Sequence, residues 1–319
     1  MKTASCRLLL ALLPLNLLLP TGASAAEHRL VIQGDKRLAM VAADGHIEWE
    51  MPWGGIHDLH VLPSGNLLVP QGSSKVVEID PASRRVVWSY DSATSNGNQG
   101  KKVEVHACQP LSGDRIMIAE SGPGRIIEID RQGKLLHEVR LKIEHPNPHT
   151  DTRLARKLAT GHYLVCHEGD GAVREYTAAG EVSWEYRVPL FGQEPRPGHG
   201  PEAFGNKVFS AVRLDSGNTL LGAGNGHSVL EVTPAGRIVW ELHQRDLPGI
   251  TLAWVTTLEV LPGGHYAIGN CHAGAGNPLV IEIDSRSRKV IWKFDGFDRF
   301  GNSASNSKLL DANPEALVD

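Results

Sequence analysis

Histidine is the residue type whose number and distribution most clearly predict chemistry in this chain. The sequence contains 15 histidines. A neutral imidazole binds divalent metal ions, and an imidazole whose pKa lies near neutrality transfers protons during catalysis. We predict that His106, His149, His167 and His272 act in catalysis or ligate a metal ion. Nine histidines recur in two kinds of segment, the start of a repeated strand pattern and the loops between its apolar runs: His57, His60, His106, His145, His149, His167, His199, His227 and His272.

Five further residues are predicted to bind the substrate. Arg156 would hold an anionic or oxygen-rich group, and Glu259 would orient a histidine or accept hydrogen bonds from hydroxyls. Trp254 is either a stacking platform for a ring or an ordinary packing residue, because aromatic side chains serve in both settings. Asp58 and His227 complete the set. Any one of the loop histidines could simply satisfy backbone groups, but nine on related segments favour a functional site.

A repeated unit must position these side chains. Residues 66–88 combine an apolar run, a turn, a second apolar run, an acid, another turn and an aromatic residue, and this pattern returns along the chain. The last position of the unit recurs every 39 to 56 residues. It is occupied in turn by Trp49, Trp88, His137, Trp184, Trp240 and Trp292. Repeats of this length made of short strands are typical of β-propeller blades. The aromatic residues are predicted to pack between blades.

Each unit is predicted to have four antiparallel strands, the first ending at a glycine turn. The predicted first strands are 57–63, 103–110, 151–159, 207–214 and 254–262. The first unit lacks one, and residues 300–311 resemble 204–215 closely enough to supply it. The fold class is therefore all-β, a six-bladed propeller whose ring is closed by the C-terminal strand. Because side chains alternate along a strand, we expect Asp58, His106, Arg156 and Glu259 on the channel wall.

The N-terminus resembles a secretory signal. Lys2 and Arg7 precede the apolar run 8–20, and small residues at 23–25 suit a signal peptidase. We therefore predict a signal peptide over residues 1–25, a single propeller domain over 26–319, and a periplasmic or secreted location. The apolar run is too short and too interrupted for a membrane span, so none is expected after cleavage.

Charge and cysteine content exclude some partners. The formal net charge is −4 with interspersed signs, whereas nucleic-acid binding needs clustered Lys and Arg. Of the four cysteines, Cys6 lies in the predicted signal peptide. The remaining Cys108, Cys166 and Cys271 are odd in number and lack CxxC spacing, so we expect buried thiols and no disulfide framework. A carbohydrate or another small molecule is the expected ligand, and a protein partner remains compatible with the composition.

The units resemble those of pyrroloquinoline-quinone-type propellers, and the phrases HDLHVLPSGN (57–66) and NGHSVLEVTPAGRIVWE (225–241) resemble bacterial arylsulfotransferase-type propellers. The resemblance covers nearly all of residues 26–319. It implies the propeller fold, and from the second family it implies sulfuryl transfer through channel-facing histidines and arginines. Quinone dehydrogenases of the first family have eight blades and two adjacent cysteines at the cofactor. Neither feature occurs in this sequence, so pyrroloquinoline quinone is not expected.

The leading functional prediction is an enzyme that uses a histidine-rich channel mouth for acid–base or metal-assisted elimination or hydrolysis, on a carbohydrate. A divalent metal ion is the cofactor that the histidines favour. Arylsulfotransferase-like sulfuryl transfer is the first alternative. The second is a non-catalytic propeller that binds a ligand or a protein.

Overall fold

The computed structural model describes residues 28–55 and 57–311. These residues form six antiparallel sheets of four strands each, which confirms the prediction of an all-β, six-bladed propeller. Residues 1–25, the predicted signal peptide, lie outside the described residues. Within the described residues no helix is both long and apolar enough to cross a membrane.

The strands are numbered in chain order, and each blade is given from its innermost strand outward. Blade 1 comprises β24 (Asn306–Leu309), β1 (Leu30–Gly34), β2 (Arg37–Val41) and β3 (Ile47–Pro52). Blade 2 comprises β4 (His60–Val61), β5 (Leu67–Gln71), β6 (Lys75–Asp80) and β7 (Arg85–Asp91). Blade 3 comprises β8 (Glu104–Leu111), β9 (Arg115–Ser121), β10 (Arg125–Ile129) and β11 (Leu135–Arg140).

The remaining three blades follow the same order. Blade 4 comprises β12 (Ala155–Lys157), β13 (Tyr163–His167), β14 (Ala172–Tyr176) and β15 (Val182–Arg187). Blade 5 comprises β16 (Ser210–Arg213), β17 (Thr219–Gly222), β18 (Ser228–Val232) and β19 (Ile238–His243). Blade 6 comprises β20 (Trp254–Leu261), β21 (His265–Cys271), β22 (Val280–Asp284) and β23 (Val290–Phe294). One short helix, α1 (Phe297–Phe300), and four single 3₁₀ turns complete the structure: Ser112–Asp114, Gln244–Asp246, Pro262–Gly264 and Gly301–Ser303.

The C-terminal strand closes the ring, as predicted. It pairs with β1 from Leu30 opposite Leu309 to Gln33 opposite Asn306. It is shorter than the predicted span 300–311, because α1 and a 3₁₀ turn occupy the first part of that segment. Closure removes the exposed edge that β1 would otherwise present.

Glu259 belongs to this closure. Its carboxylate accepts the backbone N–H of Leu309 at 2.9 Å and pairs with Lys308 at 3.1 Å. The prediction that Glu259 faces the channel holds, since it lines the central cavity. However, both of these contacts attach blade 6 to the closing strand, so they give Glu259 a structural role that the sequence did not indicate.

The hydrophobic core lies between adjacent blades. One apolar cluster joins Val31 and Leu38 of blade 1 to Leu67 and Val77 of blade 2, and similar clusters join the other blades. The repeated tryptophans support these interfaces from the outer strands. Each of three indole N–H groups donates to a backbone carbonyl of the next blade, Trp88 to Arg131, Trp184 to Pro234 and Trp240 to Ser285, at 2.7 to 2.9 Å.

Three of the innermost strands are shorter than predicted, which shapes the channel mouth. The segments 57–59, 151–154 and 207–209 precede β4, β12 and β16 and are not part of the strands. Instead, the N–H of Leu154 donates across blades to the carbonyl of Phe209 at 3.1 Å. These segments therefore cross the mouth of the channel, where their side chains meet.

Candidate functional site

His106 lies at an irregularity in β8. Pairing with β9 continues from Val105 opposite Glu120 to Ala107 opposite Ala119, so His106 is the extra residue of a β-bulge. A bulge re-aims the side chain it carries and recurs beside active sites. His106 is only 3% exposed, and it faces side chains from the segments that precede β4 and β12. The sequence placed it near the channel by strict alternation, whereas the bulge is what orients it.

The carboxylate of Glu104 lies between two imidazoles. Its Oε2 atom is 3.2 Å from Nε2 of His106 and 2.8 Å from Nδ1 of His149. The possible ligand atoms of these three residues all lie within 4.8 Å of one another. His149 has 56% of its side chain exposed, so the group is open to solvent on one side. We call Glu104, His106 and His149 the mouth triad.

The second nitrogen of His106 has a backbone partner. Nδ1 lies 2.8 Å from the carbonyl oxygen of Thr152, and an Nδ1–H that donates there leaves a lone pair on Nε2 directed at Glu104. Metal-ligating histidines characteristically donate their other N–H in this way. The guanidinium of Arg153 is 3.2 Å from the same Nδ1. The opposite tautomer, which donates Nε2–H to Glu104, is therefore also accommodated.

Burial and local charges set the protonation of the triad. Burial lowers the pKa of His106, the hydrogen bond to Glu104 opposes that shift, and Arg153 reinforces it. Hydrogen bonds from His106 and His149 hold the pKa of Glu104 well below its usual range. At neutral pH the triad therefore presents an ionised carboxylate beside a neutral buried imidazole, and this donor set suits a divalent cation.

A third imidazole, His57, packs against the triad. Its ring centroid lies 4.7 Å from that of His106 in an edge-to-face contact and 6.0 Å from that of Phe209. Burial lowers the pKa of His57 well below its usual value, and His106 and Arg153 act in the same direction. Its buried Nδ1 has no hydrogen-bond partner among residues 28–55 and 57–311. His57 is therefore a neutral imidazole with one unused nitrogen beside the triad.

An ion-pair network supports the triad from below. Glu168 binds Arg153 through Nε and Lys207 at 3.0 Å. Burial raises the pKa of Glu168, but the charges of Arg153 and Lys207 outweigh it and lower the pKa overall. Arg153 also stacks over Phe209 at 5.5 Å. Residues from the segments before β12 and β16 are thus held in fixed positions beside His106.

The structure places His167 away from the triad, which corrects its predicted catalytic role. His167 is fully buried in blade 4, where Nδ1 contacts the carbonyl oxygen of Asp151 at 2.7 Å and Nε2 contacts the hydroxyl of Tyr176 at 2.9 Å. Both ring nitrogens have partners within the blade. Of the histidines predicted to act at the site, His106 and His149 belong to the triad, whereas the ring that packs against His106 is that of His57 and not that of His167.

His167 predicts acid sensitivity. Burial, with the nearby charge of Arg174, lowers its pKa to about 4, against an unfolded value of about 6.5. Folding then excludes a proton that the unfolded chain binds, so stability is full above about pH 6.5 and falls by up to about 3 kcal/mol as the pH approaches 4. His167→Gln keeps both hydrogen bonds without titrating. Urea unfolding at several pH values should show a shallower loss for this variant than for wild type, and equal slopes would contradict this account.

His272 belongs to a second aromatic group at the mouth. Its ring lies 5.2 Å from His199 and 6.3 Å from Trp254, and His199 stacks on Trp254 at 4.8 Å. The thiol of Cys271 is 2.9 Å from Nδ1 of His272. Burial raises the pKa of that thiol to about 12, so it is a protonated packing group and not a nucleophile. Because His199 already stacks on it, Trp254 is better described as a packing residue than as a free platform.

His227 connects loops. Its Nδ1 contacts the carbonyl oxygen of Ala253, and its Nε2 contacts that of Ala203 at 2.6 Å. Both ring nitrogens thus meet backbone oxygens of neighbouring segments. The structure gives His227 a bridging role between the loops of blades 5 and 6, in place of the predicted contact with substrate.

Buried Asp58 and partly exposed Arg156 form an ion pair in the channel. The guanidinium donates through both terminal nitrogens to the two carboxylate oxygens at 2.8 Å each, and Asp58 also accepts the N–H of Cys108 at 3.0 Å. Burial raises the pKa of Asp58, yet Arg156 and His60 lower it overall. Both residues line the channel, as predicted. Arg156 is committed to Asp58, which ties blade 4 to blade 2.

Four residues at the centre of the site were not among the predicted catalytic or substrate-binding residues. They are His57, which packs against the triad, and Glu104, Arg153 and Glu168. One of them carried a readable signal. Glu104 stands two residues before His106, at the spacing that places side chains on one side of a strand. The others approach from separate blades, and nothing in the sequence indicates which segments would meet.

Comparisons with known proteins agree with this fold. A family model described as outer membrane protein assembly factor BamB matches residues 34–294, while no curated protein matches the sequence. Among solved structures, a protein of unknown function from Bacteroides caccae is 23% identical with a TM-score of 0.72, covering 90% of this chain and 100% of its own.

Two lyases are more distant structural neighbours. A streptogramin B lyase is 11% identical with a TM-score of 0.55, covering 86% of this chain and 84% of its own. A virginiamycin B lyase from Staphylococcus aureus is 14% identical with a TM-score of 0.53, covering 84% of each chain. At these identities the likeness concerns the fold alone.

Proposed function

We propose, from the premise that this chain belongs to the PQQ-like repeat family described as outer membrane protein assembly factor BamB, that its channel mouth is an enzyme site. The reaction class is metal-assisted acid–base chemistry, elimination or hydrolysis, on a carbohydrate. The observation that carries the proposal is the convergence of Glu104, His106 and His149, with His57 beside them.

The donor set of the mouth triad fits a divalent transition metal or zinc. Two ligands of a tetrahedral ion with bonds of about 2.1 Å stand about 3.4 Å apart. The contacts of Glu104 to His106 and to His149, at 3.2 and 2.8 Å, are close to that separation. The carbonyl of Thr152 supports the tautomer of His106 that ligation requires. Three protein ligands leave positions open, which is the pattern of catalytic sites.

Among reactions on carbohydrates, elimination from an acidic sugar suits these residues best. When bound, a divalent ion would supply Lewis-acid polarisation of the substrate carboxylate. Nδ1 of His57 would take the proton from the carbon next to that carboxylate. The C–O bond on the following carbon then breaks, a C=C bond forms, and the departing oxygen takes a proton from solvent at the open mouth. Arg153 and Lys207 share the single carboxylate partner Glu168, so their combined positive charge would attract the anionic substrate.

A periplasmic or secreted location is part of the proposal and is supported by the sequence of residues 1–25. A protein-binding role is the second candidate. It is favoured by the family description and by large apolar side chains exposed on the outer strands, among them Val87, Leu136 and Val239, each 46–55% exposed. Sulfuryl transfer has less support, because the arginines at the channel and its mouth are engaged by carboxylates: Arg156 by Asp58, Arg213 by Glu175 and Arg153 by Glu168.

Metal analysis tests the proposal directly. Wild-type protein, dialysed against zinc or manganese and then freed of excess, should retain about one ion per chain by elemental analysis, as one site predicts. Glu104→Gln removes a charged ligand and should weaken retention by about 10-fold or more. The matched control is Glu144→Gln, because Glu144 belongs to a second carboxylate–histidine group with His145 and Asp170. Equal retention in the two variants, or none in wild type, would overturn the metal-assisted assignment.

A further inference from the structure

A cavity lies within the channel, below the mouth. It has a volume of about 390 Å³ and is enclosed by the innermost strands of the blades, which places it at the lower end of the range for small-molecule sites. Its polar wall residues are Asp58, Gln109, Arg156, Ser210, Arg213, Thr257, Glu259, Asn306, Ser307 and Lys308. No step proposed for the mouth triad uses this cavity.

An apolar layer lies between this cavity and the mouth. Leu154, Phe209, Trp254 and Cys271 form one buried cluster. Along the innermost strands, Phe209 directly precedes the cavity residue Ser210, and Trp254 precedes the cavity residue Thr257. Phe209 also contacts His57 of the mouth on its other side. A ligand in the cavity would therefore contact neither His106 nor His149, and the two sites can be tested separately.

The charges in the cavity wall compensate one another. Asp58 and Arg156 are paired through two hydrogen bonds of 2.8 Å, and Glu259 and Lys308 are paired at 3.1 Å. Arg213, the fifth charged residue of the wall, is paired at 2.6 Å with Glu175, which lies outside the wall, so each charge of the wall is balanced by an opposite charge. A charged ligand would have to leave water without a counter-charge to replace its hydration, which is costly in a buried site. The wall therefore favours an uncharged ligand.

Besides Nε of Arg213, two buried polar groups in the wall have unused hydrogen-bonding capacity. Nδ2 of Asn306 and Oγ of Ser210 have no hydrogen-bond partner within the described part of the chain, and these residues are 4% and 1% exposed. Leaving such a group unsatisfied costs about 1–3 kcal/mol, so native structures normally give it a partner. The two groups belong to blades 1 and 5, so one ligand that reaches both must span the channel.

We propose that this channel cavity binds an uncharged polyhydroxylated molecule of monosaccharide size. Hydroxyl groups both donate and accept. They can accept from Asn306 and from the cationic groups, and they can donate to Ser210 and to the carboxylates. This inference is independent of the mouth triad and of the reaction proposed there.

Calorimetric titration of the whole protein with D-glucose, D-galactose and D-mannose tests the inference. At least one of these sugars should saturate one site, and its charged counterparts glucuronate and glucosamine should bind at least about 10-fold more weakly. Ser210→Ala and Asn306→Leu should each weaken binding by about 10-fold, as expected for loss of one buried hydrogen bond. Asn306 lies in the closing strand, so Asn306→Leu could prevent folding. In that case Ser210→Ala alone tests the inference.

Glu104→Gln serves as the mouth control and should bind the sugar as wild type does. Three results would overturn the inference: no saturable binding of any of the three sugars, wild-type affinity in Ser210→Ala, or loss of binding in Glu104→Gln, which would move the sugar to the mouth. If glucuronate or glucosamine binds as tightly as the neutral sugars, the inference that the ligand is uncharged is wrong. Loss of the metal in Glu104→Gln has no bearing on the outcome, so the two proposals fail separately.

Discussion

Deletion of residues 300–319 should abolish the cooperative unfolding transition of the ring. The deletion removes the strand that pairs with β1 over four residues, from Leu309 to Asn306. It also removes Phe300 and Leu309, which are 1% and 2% exposed in the cluster with Leu30 and Ile32. Burial of two such side chains contributes about 3–6 kcal/mol, a large part of the 5–15 kcal/mol by which a typical domain is stable.

Thermal and urea unfolding followed by circular dichroism would measure this effect. A synthetic peptide of residues 300–311 supplies the control, because it can add the missing strand to the free edge of β1 and should restore part of the lost stability. A partial loss of stability would show how much the other five blade interfaces stabilise a ring that lacks its closing strand. A truncated protein with the wild-type unfolding midpoint would show that the closing strand contributes nothing to stability.

His57→Ala should lower kcat on an acidic oligosaccharide by about 10²- to 10⁴-fold, the usual contribution of a general base. The side chain packs against His106 without being part of the mouth triad, so the variant should keep its metal stoichiometry. The ultraviolet absorbance of the conjugated double bond formed by elimination provides the assay. Loss of turnover with retained metal would separate proton transfer from ligation.

His145→Ala is the matched control for this experiment. His145 is another histidine of the loops at the mouth, 69% exposed and bonded to Asp170 at 3.0 Å. Within the described part of the chain it forms no hydrogen bond with a member of the mouth triad. Its kcat should stay near that of wild type. If His57→Ala and His145→Ala are equally active, the base is another group and the mechanism proposed for His57 is wrong.

The repeat made the architecture predictable from local information. Alternating apolar residues, turn glycines and the tryptophan that ends five of the six units specify a strand and its two neighbours. Six such units with a spare C-terminal strand allow one closure. The lengths of the innermost strands were less predictable. Residues 57–59, 151–154 and 207–209 were predicted as strand but lie outside the observed strands. Arg153 and Phe209 still bond to backbone carbonyls of β13 and β17, while the N–H of Leu154 bonds to a carbonyl of the next blade.

The candidate site was predictable in location and only partly in composition. Histidines at the starts of strands and in the loops indicated one face of the ring, and His106 and His149 do meet there. His167 lies at the end of β13, a position that predicts a side chain at the mouth. Its ring instead lies within blade 4 and contacts the hydroxyl of Tyr176. Side-chain direction at a strand end depends on the packing of the neighbouring strand, and the sequence does not encode that locally.

By itself, then, the sequence determined the number of blades, the closing strand and the face that carries the histidines, because each follows from periodicity within one unit. Only the tertiary structure decided which side chains share a site. The bulge at His106 breaks the alternation of β8, and His149 and His57 approach Glu104 and His106 from different segments of the ring. Such contacts are set by the angle and spacing between blades. These depend on the packing of whole sheets, since no local pattern specifies them.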